Sequence, residues 1–221
     1  DALMGVTEVI RGDDHLSNTP KQIVVYNALG LTIPNFAHVP MILNEKGKKL
    51  SKRDGAMDVM DYKTNGYLPE ALLNFLVRLG WSHGDQETFS MDEMLKLFSA
   101  DDINKSASAY NLDKLAWLNA NYIKEMPDEA LAALLVEYGV DVTGHEKLDI
   151  LLHIAKDRAK TLVDLKNAVS DIINRPSSYS EKDVGKTVKE DTFEILEKFV
   201  NAFNQSNAIT PDEHQELINN F

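Results

Sequence analysis

The periodicity of the sequence changes near residue 63, and this change constrains the fold more than any other feature. Before it, residues 2–11 alternate apolar and polar side chains, and residues 38–43 form a short apolar run, which predicts two strands. Between them, Pro20 suits a first helical position and Gly30 a helix end, which predicts one short helix. A strand, a helix and a strand in this order indicate the end of an α/β domain.

After residue 63 the sequence carries helix signals. Pro69 opens an apolar-periodic segment that Gly80 closes, and residues 90–93 form a capping box, in which a serine and a glutamate satisfy free backbone N–H groups. The same signals predict helices over 112–119, 127–138, 145–174 and 188–204, and another helix start at 210–213. The sequence therefore predicts a mainly α fold with a small α/β remnant.

Composition excludes several functional classes. The formal net charge is −12 at pH 7, and most of the acidic excess lies in residues 127–221, which argues against a non-specific nucleic-acid binder. The chain contains no cysteine, so disulfides, thiolate zinc sites and cysteine nucleophiles are excluded, and a cytoplasmic location is favoured. No apolar run approaches the ~18 residues of a membrane-spanning helix, so we expect no membrane partner.

One loop is basic against this acidic background. Ammonium groups on a glycine-containing loop can bind triphosphate oxygens, although blocks of like charge are more often solvated surface features. Neither a Walker A motif nor G-x-G-x-x-G occurs in the chain, so phosphate binding needs other support. The basic residues, which fall within eight positions, are Lys46, Lys48, Lys49, Lys52 and Arg53.

Two motifs in order supply that support. Residues 49–53 read KLSKR, which resembles the KMSKS signature of class I aminoacyl-tRNA synthetases in its glutamate-enzyme form. Residues 9–20 read VIRGDDHLSNTP, which is similar to the R-G-[ED]-D-H-x-x-N-T segment of glutamyl-tRNA synthetases. Further matches at residues 66–74, 79–82 and 113–119 extend the likeness to about residue 123, beyond which it rests on helical pattern. The chain thus resembles the bacterial glutamyl-tRNA synthetases.

The resemblance implies a fragment. None of the six histidines belongs to an H-I-G-H type motif, so we expect the N-terminal half of the catalytic domain, and the last C-terminal subdomain, to be missing. It implies three regions: the end of a Rossmann-like catalytic domain with the KLSKR loop over 1–62, a helical stem-contact region over 63–126, and a truncated helical anticodon-binding domain over 127–221. We expect the fragment to be catalytically inactive and to retain only tRNA binding.

For the parent, the resemblance implies ATP-dependent attachment of glutamate to tRNA(Glu) through a glutamyl-adenylate. The expected partners are ATP with Mg²⁺, L-glutamate and tRNA(Glu), no zinc ligands are expected, and the parent is expected to be a cytoplasmic monomer. Catalysis of this kind is positioning together with stabilisation of charge on the phosphoryl oxygens.

The matched positions assign the candidate site. Lys52 is expected to contact the triphosphate, with Lys49 as the second catalytic candidate. Arg11 is expected to pair with the substrate carboxylate as a planar fork, unless it forms only a surface salt bridge. Asp14 would lie near the ribose unless it caps a helix, and Ile42 would meet adenine through its backbone unless it is core packing. The full ATP-binding set is Asp14, Ile42, Lys49, Leu50, Ser51, Lys52 and Arg53.

Arg158 is the candidate for tRNA contact. It aligns by pattern with an arginine that faces the anticodon in bacterial members of the family. It belongs to a narrow stripe at near-helical spacing, whose alternative interpretation is a solvated helix paired with Asp157 and Asp164. The stripe consists of Lys156, Arg158, Lys160 and Lys166.

Three other interpretations remain open on the sequence. A glutaminyl-tRNA synthetase-like fragment would carry β-barrel anticodon domains, so a strand-rich C-terminal half would favour it. A short relative that modifies a queuosine base lacks an anticodon-binding region, against which residues 127–221 count. The third is a stand-alone helical module, either binding tRNA or serving as a scaffold whose resemblance is accidental.

Overall fold

The computed structural model describes residues 1–50, 57–174, 178–206 and 210–219. The chain divides into two compact units, Asp1–Ile173 and Asn174–Phe221. The first unit contains four short strands, which are β1 (Glu8–Gly12), β2 (Asn35–Val39), β3 (Ile42–Leu43) and β4 (Ser108–Ala109). Its helices are α1 (Thr19–Ala28), α2 (Val59–Thr64), α3 (Pro69–Gly80), α4 (Met91–Leu97), α5 (Leu112–Glu125), α6 (Asp128–Glu137), α7 (Leu148–Lys156) and α8 (Leu162–Ile173).

The α/β part is smaller than the sequence predicts. β1 and β2 pair in parallel, with Arg11 opposite His38. The predicted first strand begins only at Glu8, because Ala2–Met4 form a short 3-10 helix before it. The predicted second strand is divided into β2 and β3, which flank Pro40, a residue without a backbone N–H to donate to a ladder.

The basic loop follows β3 directly in the chain. Gly47 occupies the left-handed region with φ of 71°, and the side-chain oxygen of Asn44 accepts from the backbone N–H groups of Lys46 and Lys48, at 3.0 Å each. The chain then returns antiparallel to Leu43 at Lys49. We call residues 44–49 the basic hairpin.

One strand lies where only helices are predicted. β4 pairs in parallel with β3, matching Ile42 to Ser108, and the backbone N–H of Tyr110 donates to the carbonyl of Leu43 at 2.8 Å. The basic hairpin is thus attached at its base to a segment far along the chain.

The long helix predicted over 145–174 is wrong, because it is two helices. The carboxylate of Asp164 accepts from the backbone N–H groups of Lys160 and Thr161, and the hydroxyl of Thr161 accepts from the backbone of Asp164. This reciprocal cap starts α8 and ends the continuity with α7. The cap at Ser90 and Glu93 forms as predicted.

The first unit has three apolar clusters. The smallest contains Trp81, Phe89 and Met94. Leu50 and Met57 pack against the second cluster, which contains Tyr62, Phe75, Leu79, Tyr110, Leu115 and Leu118. The largest contains Leu68, Ala71, Ile123, Leu131, Ala132, Leu135, Val140, Val142, Leu151, Leu152, Ala155, Ala159, Leu162, Leu165 and Val169.

The second unit consists of helices in its described residues: α9 (Glu181–Thr187), α10 (Thr192–Gln205) and α11 (Pro211–Asn219). The predicted start at 210–213 is confirmed, since Glu213 accepts from the backbone of Thr210 at 2.9 Å and Thr210 accepts from the backbone of Glu213 at 3.3 Å. The ring of His214 stacks on Phe203, with centroids 5.2 Å apart. The mainly α fold with a small α/β part is confirmed, and in the described residues beyond 125 no strand occurs.

Candidate functional site

The two sequence motifs meet at an ion pair. The ammonium of Lys49, at the end of the basic hairpin, lies 2.7 Å from the carboxylate of Asp14 in the segment after β1. Lys49 holds the pKa of the Asp14 carboxyl below its ordinary value by this hydrogen bond. Both side chains are exposed, so the pair contributes little to stability. What it does is bring two predicted nucleotide-site residues together.

Asp14 does not cap a helix. The 3-10 helix Asp13–Asn18 and helix α1 both begin without a side-chain cap. The Asp14 carboxylate instead bends back over Gly12, where an added Cβ would lie 2.6 Å from one of its oxygens. Glycine at position 12 therefore leaves room for the carboxylate to reach Lys49.

Arg11 is held by neutral side chains. Its Nη2 donates to the hydroxyl of Thr19 at 2.8 Å and to the amide oxygen of Gln22 at 2.7 Å. Its Nε faces Nε2 of His38 at 3.5 Å, and the guanidinium lies 5.4 Å from the ring centre of Phe36. Among the described residues no carboxylate pairs with Arg11, so the surface salt bridge considered for it does not form there.

Ile42 has its carbonyl engaged within the hairpin, where it accepts from the backbone N–H of Leu50 at 2.9 Å. Its side chain lines an apolar cleft of about 320 Å³ together with Met41, Leu76 and Trp81. Leu50 packs against the second apolar cluster. The predicted site residues Ser51, Lys52 and Arg53 lie outside the described residues.

Arg158 lies in the turn between α7 and α8 and is exposed. The stripe predicted around it does not form one helical face, because α7 ends at Lys156 and α8 begins at Leu162. Lys156 is turned to Asp128, with 2.6 Å between ammonium and carboxylate, and its side chain is only 13% exposed. Lys156 is therefore a structural residue, whereas Arg158 is exposed and its role in tRNA contact stays a prediction.

Sequence reasoning missed the partners of Arg11. Thr19 lies inside the matched motif, but Gln22 and His38 carry no signal that links them to it. Their proximity arises because β1 and β2 pair in register and α1 starts directly after the motif.

Within the described part of the chain, no group of three or more histidine, aspartate or glutamate side chains is arranged to hold a metal ion. In the same part, no helix combines the length and the apolarity that crossing a bilayer requires.

Comparison with known families identifies the class of protein. The family model described as tRNA synthetases class I (E and Q), catalytic domain, matches residues 1–117, and a model described as anticodon binding domain matches residues 117–221. The chain belongs to the class I tRNA synthetases of the glutamate and glutamine group.

The similar curated proteins are ligases for glutamate. The chain is 63% identical over 218 residues to glutamate–tRNA ligase 2 of a Nitratiruptor species, covering 99% of this chain and 47% of the relative. It is 65% identical over 200 residues to glutamate–tRNA ligase 1 of a Sulfurovum species, covering 90% and 43%. The chain thus spans about half the length of the curated relatives it matches.

The solved structures agree. A glutamate tRNA ligase from Elizabethkingia meningosepticum, in complex with its amino acid, matches with a TM-score of 0.73 and 32% identity, covering 92% of this chain and 45% of that one. The glutamate-tRNA synthetase from Elizabethkingia anophelis matches with a TM-score of 0.71 and 31% identity, covering 98% and 47%. These relatives do not support the glutaminyl-type alternative.

Proposed function

We propose that this chain forms the second part of a glutamate–tRNA ligase, contributing to the ATP and glutamate sites and to tRNA binding. The observation that carries the proposal is the 2.7 Å contact between Lys49 and Asp14, which joins the two family motifs at one place. Residues 1–62 would end the catalytic domain, 63–126 would contact the tRNA stem, and 127–221 would bind the anticodon region. In this proposal the ligase is a cytoplasmic monomer.

The proposed reaction has two steps. The α-carboxylate of glutamate attacks the α-phosphorus of ATP, a P–O bond breaks, and pyrophosphate leaves. A hydroxyl of the terminal ribose of tRNA(Glu) then attacks the carbonyl of the adenylate and releases AMP. ATP arrives as its Mg²⁺ complex, whose triphosphate Lys52 and Lys49 would bind, while Asp14 would lie near the ribose and Arg11 would hold the substrate carboxylate.

The remaining assignments follow the same motif. Leu50, Ser51 and Arg53 would complete the loop around the triphosphate. Ile42 would meet adenine through its backbone N–H or its side chain, since its carbonyl is already engaged. We propose that the 221-residue chain alone forms no adenylate, because it spans about half the length of the ligases it resembles.

A lysine substitution in the full-length ligase tests the proposed role of the loop. Lys52→Ala should lower glutamate-dependent ATP–pyrophosphate exchange on the order of 100-fold, because a charge that stabilises the leaving pyrophosphate is lost. Binding of tRNA should change by less than about twofold, since Lys52 lies outside residues 63–126 and 127–221, which are the regions proposed to contact tRNA. Lys46→Ala, which removes a nearby basic residue of the sequence outside the KLSKR motif, is the matched control. Equal losses in exchange and tRNA binding would show that Lys52 does not act on ATP.

Binding of tRNA by the chain itself is a second candidate function, favoured by the match to an anticodon binding domain and by the exposure of Arg158. The affinity for tRNA(Glu) should fall with salt, because phosphate contacts release counterions. Arg158→Ala should make the slope of log K against log salt shallower by about 1. A flat salt dependence in the unsubstituted chain would contradict this function.

A further inference from the structure

The partners of Arg11 form a built socket. Thr19 is 9% exposed, and few other residues in the α/β part are as buried. Its hydroxyl lies 2.8 Å from Nη2 of Arg11 and 3.0 Å from Nε2 of His38. Gln22 stands three residues after Thr19 on α1, a spacing that places both side chains on one face of the helix. We call Thr19, Gln22 and His38 the arginine socket.

We propose that the arginine socket positions the guanidinium of Arg11 for the carboxylate of the substrate, and that its neutral chemistry keeps the full charge of Arg11 available to that carboxylate. The inference rests on the proposed function, in which Arg11 holds the substrate glutamate. Thr19, Gln22 and His38 are positioning residues in this proposal, since none of them needs to touch the substrate.

The hydrogen bonds of the socket have a fixed direction. Arg11 can only donate, so Nε2 of His38 accepts from Nε of Arg11 at 3.5 Å and the hydroxyl of Thr19 accepts from Nη2. Because Nε2 is an acceptor, the hydroxyl of Thr19 donates its single hydrogen to it. His38 then accepts at Nε2 and carries its ring hydrogen at Nδ1, which is the neutral form of the imidazole. The chain from Arg11 through Thr19 to His38 therefore adds no charge of either sign beside the guanidinium.

The socket leaves one nitrogen of the guanidinium, Nη1, without a partner among the described residues. Both hydrogens of Nη2 are used, by Thr19 and Gln22. Nη1 has no partner among the described residues, and it is not one of their buried unpaired polar atoms, so it reaches solvent. A carboxylate that approaches Nη1 meets a guanidinium whose orientation is already set, which lowers the entropy cost of binding.

A charge placed in the socket tests the neutrality. In the full-length ligase, Gln22→Glu keeps the size of the side chain but puts a carboxylate about where the amide oxygen accepts at 2.7 Å. This carboxylate would pair with Arg11 and compete with the substrate, so the KM for glutamate should rise at least tenfold while kcat and the KM for ATP change less than about twofold. Gln215→Glu, an exposed glutamine on α11, makes the same charge change as a control.

Removal of the bridging hydroxyl tests the positioning. Thr19→Val keeps the shape and removes the acceptor, so Nη2 loses one partner and the KM for glutamate should rise about tenfold. Thr19→Ser restores the hydroxyl and should restore the KM to within about twofold. Calorimetric titration with glutamate should show the same ranking without turnover, and thermal unfolding shows whether each variant is folded. If Thr19→Val does not fold, Gln22→Glu decides the question.

Arg11→Lys separates the two levels of the proposal. If Arg11→Lys leaves the KM for glutamate unchanged, the proposed role of Arg11 in substrate binding is wrong. If Arg11→Lys raises the KM but folded Gln22→Glu and Thr19→Val do not, Arg11 keeps its role and the arginine socket is refuted. A rise in all three, with the glutamine control unchanged, supports the socket.

Discussion

Two buried asparagines connect segments that are distant in sequence. Asn119 accepts from the backbone N–H of Leu68 and donates to the carbonyls of Gly66 and Lys160. Asn74 donates to the carbonyl of Glu87 and accepts from the backbone N–H of Phe89. Neither amide is exposed, so each would leave buried backbone groups unpaired if it were lost.

The ion pair between Lys49 and Asp14 leads to a prediction for the titration of a single carboxyl group, that of Asp14. The pKa of Asp14 is lowered by Lys49, so Asp14 stays ionised at neutral pH and favours the folded state above its unfolded pKa. That contribution is lost as the pH falls through the lowered folded pKa. A carboxyl-carbon NMR titration should give Asp14 a midpoint below the ordinary value, and Lys49→Met should raise it.

The matched control is Lys46→Met, which removes a charge from the same basic hairpin but has no contact with Asp14 in the structure. It should leave the midpoint of Asp14 nearly unchanged. A shift of equal size in both variants would mean that the general charge of the hairpin, and not the 2.7 Å contact, sets the pKa.

At the scale of elements, the segment after α2 is fixed against the start of α8. The carbonyl of Gly66 accepts from the backbone N–H of Leu162 at 2.8 Å, and Tyr138, at the end of α6, donates its hydroxyl to the carbonyl of Lys63 at 2.6 Å. Gly66 has φ of 82°, which favours glycine, and an added Cβ would lie 2.6 Å from the backbone nitrogen of Val163. Backbone atoms in the capped first turn of a helix can be displaced only at a substantial energetic cost.

Gly66→Ala should therefore lower the free energy of unfolding by about 2 to 4 kcal/mol, through left-handed strain together with the clash. Gly139→Ala is the matched control, because Gly139 has φ of 86° but nothing within 4 Å of its added Cβ. It should cost only about 1 to 2 kcal/mol, the strain alone. Urea unfolding of the two variants measures the difference in their free energies of unfolding. Equal losses would show that the start of α8 accommodates the added Cβ without a further energetic cost.

At the scale of the whole molecule, the α/β part of the first unit presents an apolar surface. Its large apolar side chains that remain exposed include Ile10, Val24, Val25 and Leu29, whose exposed fractions are 60%, 65%, 55% and 65%. Apolar side chains that remain exposed provide area to which an apolar dye can bind.

Charges placed on this surface should reduce dye binding without unfolding the chain. Val24→Lys and Leu29→Lys on and beside α1 should lower the fluorescence of bound anilinonaphthalene sulfonate by about half, because apolar area is removed while few buried contacts are lost. The midpoint of thermal unfolding should stay within a few degrees. Leu95→Lys, on the 75% exposed side chain of α4, is the control. An unchanged fluorescence would show that the dye binds to another part of the protein.

The sequence predicts those structural features whose signals lie within a few neighbouring residues. The caps at Ser90 and Thr210 are formed because their partners stand three residues away, and the helix α1 follows from Pro20. It misses contacts between residues that are distant in sequence. β4 has no periodicity of its own and exists only because it pairs with β3, and Arg11 with its socket combines three elements, β1, α1 and β2. The break at Thr161 had a local signal, a threonine with an aspartate three residues later, which the surrounding apolar periodicity obscured.

The pairing of β3 with β4 has a consequence for the order in which the protein forms during translation. The basic hairpin leaves the ribosome before the residues that close its base, which are Ser108 and the backbone of Tyr110. Until that later stretch has emerged, β3 keeps an open edge with unpaired backbone groups. In the nascent chain, the strand at the base of the lysine-rich turn therefore stays without its β4 partner while more than sixty further residues, from Ile42 to Ser108, are synthesised.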